Sequence, residues 1–260
     1  MDWFTNEKSF MEASGYTIDG VWYPRVTKII GIKSKPALYR YYAEAKDYKT
    51  AQEFTKKSAE EGTLMHEVIQ KIMIGERPEI PRQILPAVNA TVKFLEEQNI
   101  QVDPEFIEKR VVNLNERYAG TIDALALAEG KYGVLDIKTS QAIYRDYNLQ
   151  TAAYMDPLSQ LAPGLQTRWI LRIDQNQTCI RCGASLRTKG GREKIKKALR
   201  SNGNSACPEG EHDWSEVRGI VELKEFPYWQ SDYKAFLSAK HLWEWENDYW
   251  LKKIGYTREF

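Results

Sequence analysis

Two aspartates and a lysine in the segment YAGTIDALALAEGKYGVLDIK (118–138) carry the most chemistry in this 260-residue chain. Glu129-Gly130 reads as a two-residue hairpin turn, an acidic-Gly relative of the favoured Asp-Gly type, between two runs of strand-forming residues. With that turn, Leu127 faces Tyr132, Leu125 faces Val134, and Asp123 faces Asp136. Directly opposed side chains share a face, with Cβ atoms roughly 5 Å apart. Lys138 returns to the same face roughly 6.6 Å further along the strand. Two carboxylates opposed on an otherwise apolar face raise each other's pKa and weaken the ladder. A divalent cation bridging them relieves this, and hard oxygen ligands with open positions select Mg²⁺ or Mn²⁺. Such an ion polarises a phosphoryl oxygen and acidifies a bound water. Lys138 would orient that water or neutralise the developing phosphorane charge. The plainer alternative is a surface Asp136–Lys138 pair on an edge strand.

A second constellation lies downstream. Cys179-Ile-Arg-Cys182 is followed by Cys207 and, five residues later, by His212, close to the spacing of a Cys₃His zinc knuckle or ribbon. Four soft or borderline ligands leave no open position, so the site would be structural, and the surrounding segment is too poor in large apolar residues to fold on a core of its own. Glu211 or Asp213 could replace His212 as the fourth ligand. Residues 179–200 also hold eight cations, Arg181, Arg187, Lys189, Arg192, Lys194, Lys196, Lys197 and Arg200, against the single acid Glu193. A basic flap of this kind holds phosphate backbone without reading sequence. A solvated charged helix accounts for the same residues equally simply.

Around these sites the chain reads as α/β (α+β), with a mixed central sheet flanked by helices. Residues 15–32 suggest a hairpin leading into a helix, and 36–57 are helical and polar. Ser58 and Glu61 form a capping box ahead of a helix whose apolar stripe is Met65, Val68, Ile69, Ile72 and Met73, with His66 at its edge and Gly75 at its end. A further helix spans about 82–98. Strands are expected at 105–114, 118–127, 132–138, 166–174 and 217–225. Helices are expected from Asp146, interrupted near Pro157, and over the aromatic last 30 residues. Gln150 and Tyr154 share one helix face. The expected organisation is a core over 1–174, an inserted metal-binding module over 175–216, and 217–260 completing the core.

As an ordered set, GTID, the acidic-Gly turn, LDIKTS and YNLQTAAY resemble the PD-(D/E)xK nuclease superfamily, and within it the RecB-like branch that includes the mitochondrial genome-maintenance exonuclease and phage exonucleases. YPRVTKIIG near the N-terminus is similar to a segment of the same branch. The resemblance implies a restriction-endonuclease-like core and a Mg²⁺- or Mn²⁺-dependent DNA exonuclease acting in replication, recombination or repair. It assigns Asp123, Asp136 and Lys138 to catalysis, His66 in GTLMHE to the metal, and Gln150 and Tyr154 to the substrate side. It also asks for a Glu upstream of the first Asp, and Glu108 in FIEKRVV fits by spacing while Glu116 is a rival. The insert departs from the pattern, and three cysteines are too few for the four-cysteine iron–sulfur cluster of some relatives. An endonuclease of the same superfamily, or a non-catalytic DNA-binding protein on the same fold, are the alternatives. DNA is the expected partner, with replication or recombination proteins as possible others.

With 37 Lys+Arg against 36 Asp+Glu, the net charge of +1 excludes a uniformly basic DNA coat but permits a local patch. Three cysteines are too few for a disulfide scaffold. No secretory leader and no run of about 20 apolar residues is present, which points to the cytoplasm of a bacterial or phage-infected cell and away from a membrane.

Overall fold

The computed structural model describes residues 4–198, 207–208 and 211–257. The chain opens with α1 (Glu7–Ser14), the hairpin β1 (Gly15–Ile18) and β2 (Val21–Pro24), and α2 (Val26–Ile30). Then come α3 (Pro36–Glu44), α4 (Tyr48–Met73) and α5 (Leu85–Glu97). The strands β3 (Gln101–Asp103), β4 (Arg110–Asn113), β5 (Tyr118–Thr121), β6 (Ala124–Ala128) and β7 (Lys131–Lys138) lead into α6 (Arg145–Leu161). Last are β8 (Thr167–Thr178), β9 (Ser185–Lys189), β10 (Arg192–Lys196), β11 (Arg218–Glu225), α7 (Gln230–Glu246) and α8 (Asp248–Lys253).

The architecture is mixed α+β, with a seven-stranded sheet in the order β10-β9-β8-β7-β6-β3 and β11 paired to β8. The β7–β8 pair is parallel and the others antiparallel. A parallel pair needs a crossover, and α6 supplies it. Strand β7 is buried on both faces from Gly133 to Ile137, with Asp136 as the one charged residue in that run. Leu125 and Val134 face a core with α1, α2, α6 and α7, while Ala124, Ala126, Leu135 and Ile137 face α4 and α5. The alternation along β7 therefore places Asp136 on the α6 side. None of the described helices is long and apolar enough to cross a membrane.

Several boundaries differ from the sequence reading for identifiable reasons. Ser58 does not start a helix. Asp47 caps α4 eleven residues earlier, its carboxylate accepting the Thr50 N–H at 2.7 Å, and α4 runs unbroken for 26 residues. The strand expected over 118–127 divides at Ile122-Asp123, because Ile122 N–H bonds back to Lys109 O while β6 moves to the central sheet. The expected start at 105 is a 3₁₀ turn over Pro104–Phe106. Helix α6 runs straight through Pro157. A proline leaves the carbonyl four residues earlier without its donor, and here the Tyr118 hydroxyl donates to Ala153 O at 2.8 Å in its place. The terminal helix breaks at Asn247 into α7 and α8.

Candidate active site and metal centre

The β6–β7 turn has both central residues in the left-handed region, Glu129 at φ 49° and Gly130 at φ 73°, the geometry a two-residue hairpin requires. The register is the one the turn implies: Leu127 opposes Tyr132, Leu125 opposes Val134, and Ala124 opposes Leu135. Asp123 stands one residue beyond the last pair. Its Oδ2 accepts the Ile137 N–H at 2.6 Å, so the carboxylate takes a ladder position that the backbone of β6 has left. The compensation expected for two opposed carboxylates is thus partly internal to the chain. Lys138 Nζ lies 2.7 Å from Asp136 Oδ2, and His66 Nδ1 lies 3.4 Å from Asp123 Oδ1.

Asp136 is 1% exposed, so the plainer reading of a surface pair on an edge strand does not hold. Burial, together with the charge of Asp123, pushes its carboxyl up to about 6 despite the opposing pull of Lys138. Asp123 goes the other way. Its burial is outweighed by the His66 ring, the Lys138 ammonium and the Ile137 N–H, and its pKa is lowered. Burial works against the charge on Lys138, but Asp136 and Asp123 outweigh it and hold the ammonium protonated.

Helix α6 lies over this group. Gln150 Nε2 donates to Asp136 Oδ1 at 3.3 Å and to Tyr154 Oη at 3.1 Å. Tyr154 is 2% exposed, and burial raises its phenol so that it stays un-ionised. Its ring occupies the space a side chain at Gly120 would need: a Cβ there would stand 2.4 Å from Tyr154 Cε1. Arg168 of β8 anchors the helix from behind. It is buried, donates to Asn148 O of α6 and to Phe226 O, and pairs with Asp232 of α7.

The two upstream glutamates separate. Glu108 has its N–H on Asp123 O at 3.1 Å, a left-handed backbone at φ 50°, and a carboxylate that accepts from Gln70 Nε2 at 2.5 Å. Glu116 sits in the β4–β5 turn, its N–H on Asn113 Oδ1, on the side of Tyr233 and Tyr256. Two residues that the sequence reading did not single out contact these candidates. The Tyr147 ring lies 5.1 Å from Lys138 Nζ, and Gln70 of α4 holds Glu108. Tyr147 is legible after the fact, being one turn before Gln150 on the same face of α6.

Cys179, Cys182, Cys207 and His212 come together, with ligand atoms all within 4.8 Å of one another. Cys179 Sγ is 3.8 Å from Cys207 Sγ, and Cys182 Sγ is 3.4 Å from His212 Nδ1. Sulfur and nitrogen ligands at tetrahedral angles around one zinc stand roughly 3.6–3.8 Å apart, close to these values. Burial opposes ionisation of Cys179, but the Cys182 N–H, His212 and the N–H groups of Asp213 and Arg181 hold its thiol down at about 5. Gly183 follows at φ 73°, letting its N–H return to Cys179 O at 2.9 Å. The cluster could therefore hold a metal ion such as zinc. Among the described residues it is the one group of three or more such side chains so convergent, and His66, Asp123 and Asp136 do not form a second.

The cationic segment is a β-hairpin, not a helix. Strand β8 continues to Thr178, past the boundary expected at 174/175, and β9 and β10 extend the sheet. Arg187, Lys189, Arg192, Lys194 and Lys196 lie on this hairpin and Lys197 follows it, exposed. Arg200 lies outside the described residues.

No family model matches the chain, and no curated protein matches it. Among solved structures, LHK-Exo in complex with dAMP is similar over 84% of this chain and 90% of that one, at 12% identity and a TM-score of 0.32. The crystal structure of SSO0001 is similar over 57% of this chain at 17% identity and a TM-score of 0.25, and this chain spans about 60% of its length. Neither likeness is close enough to fix the fold family.

Proposed function

We propose that this protein is a divalent-metal-dependent deoxyribonuclease of the PD-(D/E)xK type, an exonuclease of the RecB-like branch. The observation that carries the reading is the buried Asp136–Lys138 pair, with Asp123 and His66 adjoining it and Gln150 on its free side. A buried carboxylate raised by desolvation, beside a second carboxylate and a lysine, is the mark of a site tuned for chemistry rather than for stability.

The donors suit a hard cation. Asp136 Oδ2 is buried and, although Lys138 Nζ is close, receives no well-directed hydrogen bond. Asp136 and Asp123, with His66, would hold Mg²⁺ or Mn²⁺, which when bound supplies charge to a phosphoryl oxygen and acidifies a coordinated water. Lys138 remains a cation, so it acts by charge and hydrogen bonding on the attacking water or the developing phosphorane, not as a base. Gln150 fixes the Asp136 carboxylate through Oδ1 and is itself fixed by Tyr154, a polar chain that sets the carboxylate's orientation toward the substrate. Glu108, its backbone bonded to Asp123 and its carboxylate to Gln70, would assist from there. In the insert, Cys179, Cys182, Cys207 and His212 would hold a structural zinc, and the basic hairpin would contact DNA.

End-labelled single- and double-stranded DNA incubated with Mg²⁺, Mn²⁺ or EDTA tests the reading. Metal-dependent release of nucleotides from ends is expected. Circular DNA cut as fast as linear DNA would replace the exonuclease by an endonuclease.

A further inference from the structure

The β9–β10 hairpin carries a charge pattern that its own stability does not explain. Its register opposes Arg187 to Lys194 and Lys189 to Arg192. Opposed like charges destabilise a strand pair, and both pairs fall on one face, because alternate residues Thr188, Glu193, Leu186 and Ile195 take the other. Arg187 has one carboxylate partner, Asp174, at 2.8 Å. Arg192 lies over the Tyr41 ring at 4.3 Å, and Lys194 reaches Gln141 at 3.5 Å. Glu44 and Glu61 act on Lys194 and Lys189 from a distance.

This face is partly covered, although Arg192 and Lys194 themselves are exposed. It closes against α3 and α4 around a pocket of about 190 Å³ lined by Tyr41, Ser58, Arg187, Lys189, Arg192 and Lys194 among others, with no carboxylate in the lining. Two contacts hold the hairpin against the rest of the fold. Lys189 Nζ donates to Thr139 O, the residue after Lys138, and Gly190 N–H donates to Glu61 Oε2 at 2.9 Å. The hairpin turn fits only because residue 190 is glycine: its φ is 58°, and a Cβ would meet Ser58 Oγ at 2.4 Å. Burial and the neighbouring Arg187 lower the Lys189 ammonium to about 8, the response of a cation short of anions.

Ser58, Gly62 and His66 form one stripe along α4, each a turn apart. The pocket wall and His66 are thus separated by roughly 12 Å of helix, a gap that one nucleic-acid strand can span.

We infer that this pocket is a phosphate-binding subsite, holding a phosphate of the same nucleic-acid strand whose scissile phosphodiester lies at Asp136. The inference rests on the nuclease reading for its register along the strand, but the binding itself does not require cleavage. Arg192 and Lys194 are exposed on the hairpin, so their replacement leaves the sheet intact.

The test compares Arg192→Ala/Lys194→Ala with Lys196→Ala/Lys197→Ala, which removes the same charge just outside the pocket. Binding of single-stranded oligonucleotides, with and without a terminal phosphate, is followed by fluorescence anisotropy in EDTA across a salt series. The pocket pair should lower affinity about tenfold and flatten the salt slope by roughly 1.4, as expected for two lost phosphate contacts on a single strand. The outer pair should do much less. Loss with either oligonucleotide assigns an internal phosphate, and loss only with the terminal phosphate assigns that group. Equal loss in both variants, or no loss in either, overturns the subsite. If the wild-type protein binds selectively through the pocket yet never cleaves, the nuclease reading fails and the subsite stands. If it cleaves while both variants bind alike, the reverse holds.

Discussion

Replacing Lys138 by alanine removes the only cation within bonding distance of the buried Asp136 carboxylate among the described residues. At 2.7 Å and an effective dielectric near 20, the gross attraction is on the order of 6 kcal/mol. The net loss is smaller, because Lys138 is 16% exposed and Gln150 still donates to Asp136. Breaking a buried pair while leaving one charge behind costs about 3–5 kcal/mol, and the retained hydrogen bond puts this case near 3. For a chain of this size that corresponds to a fall in Tm of roughly 6–12 °C. The pH dependence follows from the raised Asp136 carboxyl. Its ionisation opposes folding, so its contribution to stability is present below the ordinary carboxylate value and is lost as pH rises through about 6. Without Lys138 that carboxyl rises further. The deficit of Lys138→Ala is therefore largest at pH 8 and shrinks toward pH 5, where Asp136 is protonated in either chain. Thermal unfolding followed by circular dichroism in EDTA, at both pH values, measures it. Asp136→Asn/Lys138→Ala should recover much of the stability, since neither charge is then buried alone. A Lys138→Ala protein as stable as wild type at pH 8, or equally impaired at both pH values, would refute the reasoning.

Other outcomes follow from neighbouring contacts. Gly120→Ala drives a methyl into the Tyr154 ring and should cost about 1–3 kcal/mol while cutting the proposed nuclease activity through the Gln150–Tyr154 bond, measured by urea unfolding and end-release assays. Asp232→Ala leaves the buried Arg168 guanidinium without its carboxylate partner, though still bonded to Asn148 O and Phe226 O, and should destabilise by about 3 kcal/mol in the same unfolding assay. Elemental analysis should find about one zinc per chain, and Cys182→Ser should lose it together with the protease resistance of the 179–196 segment, leaving the β7–α6 core folded. Zinc retained in full by that variant would contradict the ligand set.

Much of the candidate site was legible in the sequence because it depends on local rules. The Glu129-Gly130 turn sets the hairpin register, the register puts Asp136 and Lys138 on one face, and helical spacing puts Gln150 beside Tyr154. The cysteine spacing likewise foretold which four side chains meet. What escaped the sequence was tertiary. Nothing in TIDALAL announces that the chain changes sheets at Asp123, which turns that carboxylate onto the Ile137 N–H instead of leaving it flat against Asp136. Pro157 looked like a helix break because its remedy, the Tyr118 hydroxyl, comes from a strand about 40 residues earlier in the chain. Which of Glu108 and Glu116 lies nearer Asp123 depends on which end of the β4–β5 hairpin approaches it. The cation-rich segment read equally well as a helix, and only its strand register reveals the one-sided charge.

The most direct test of the central claim is cleavage by wild type, Asp136→Asn and Lys138→Ala of one end-labelled DNA with Mg²⁺ or Mn²⁺, alongside their binding of the same DNA. The account predicts metal-dependent cleavage by wild type and its loss in both variants with binding retained. Undiminished cleavage by either variant, or none by wild type with any divalent ion, would contradict it.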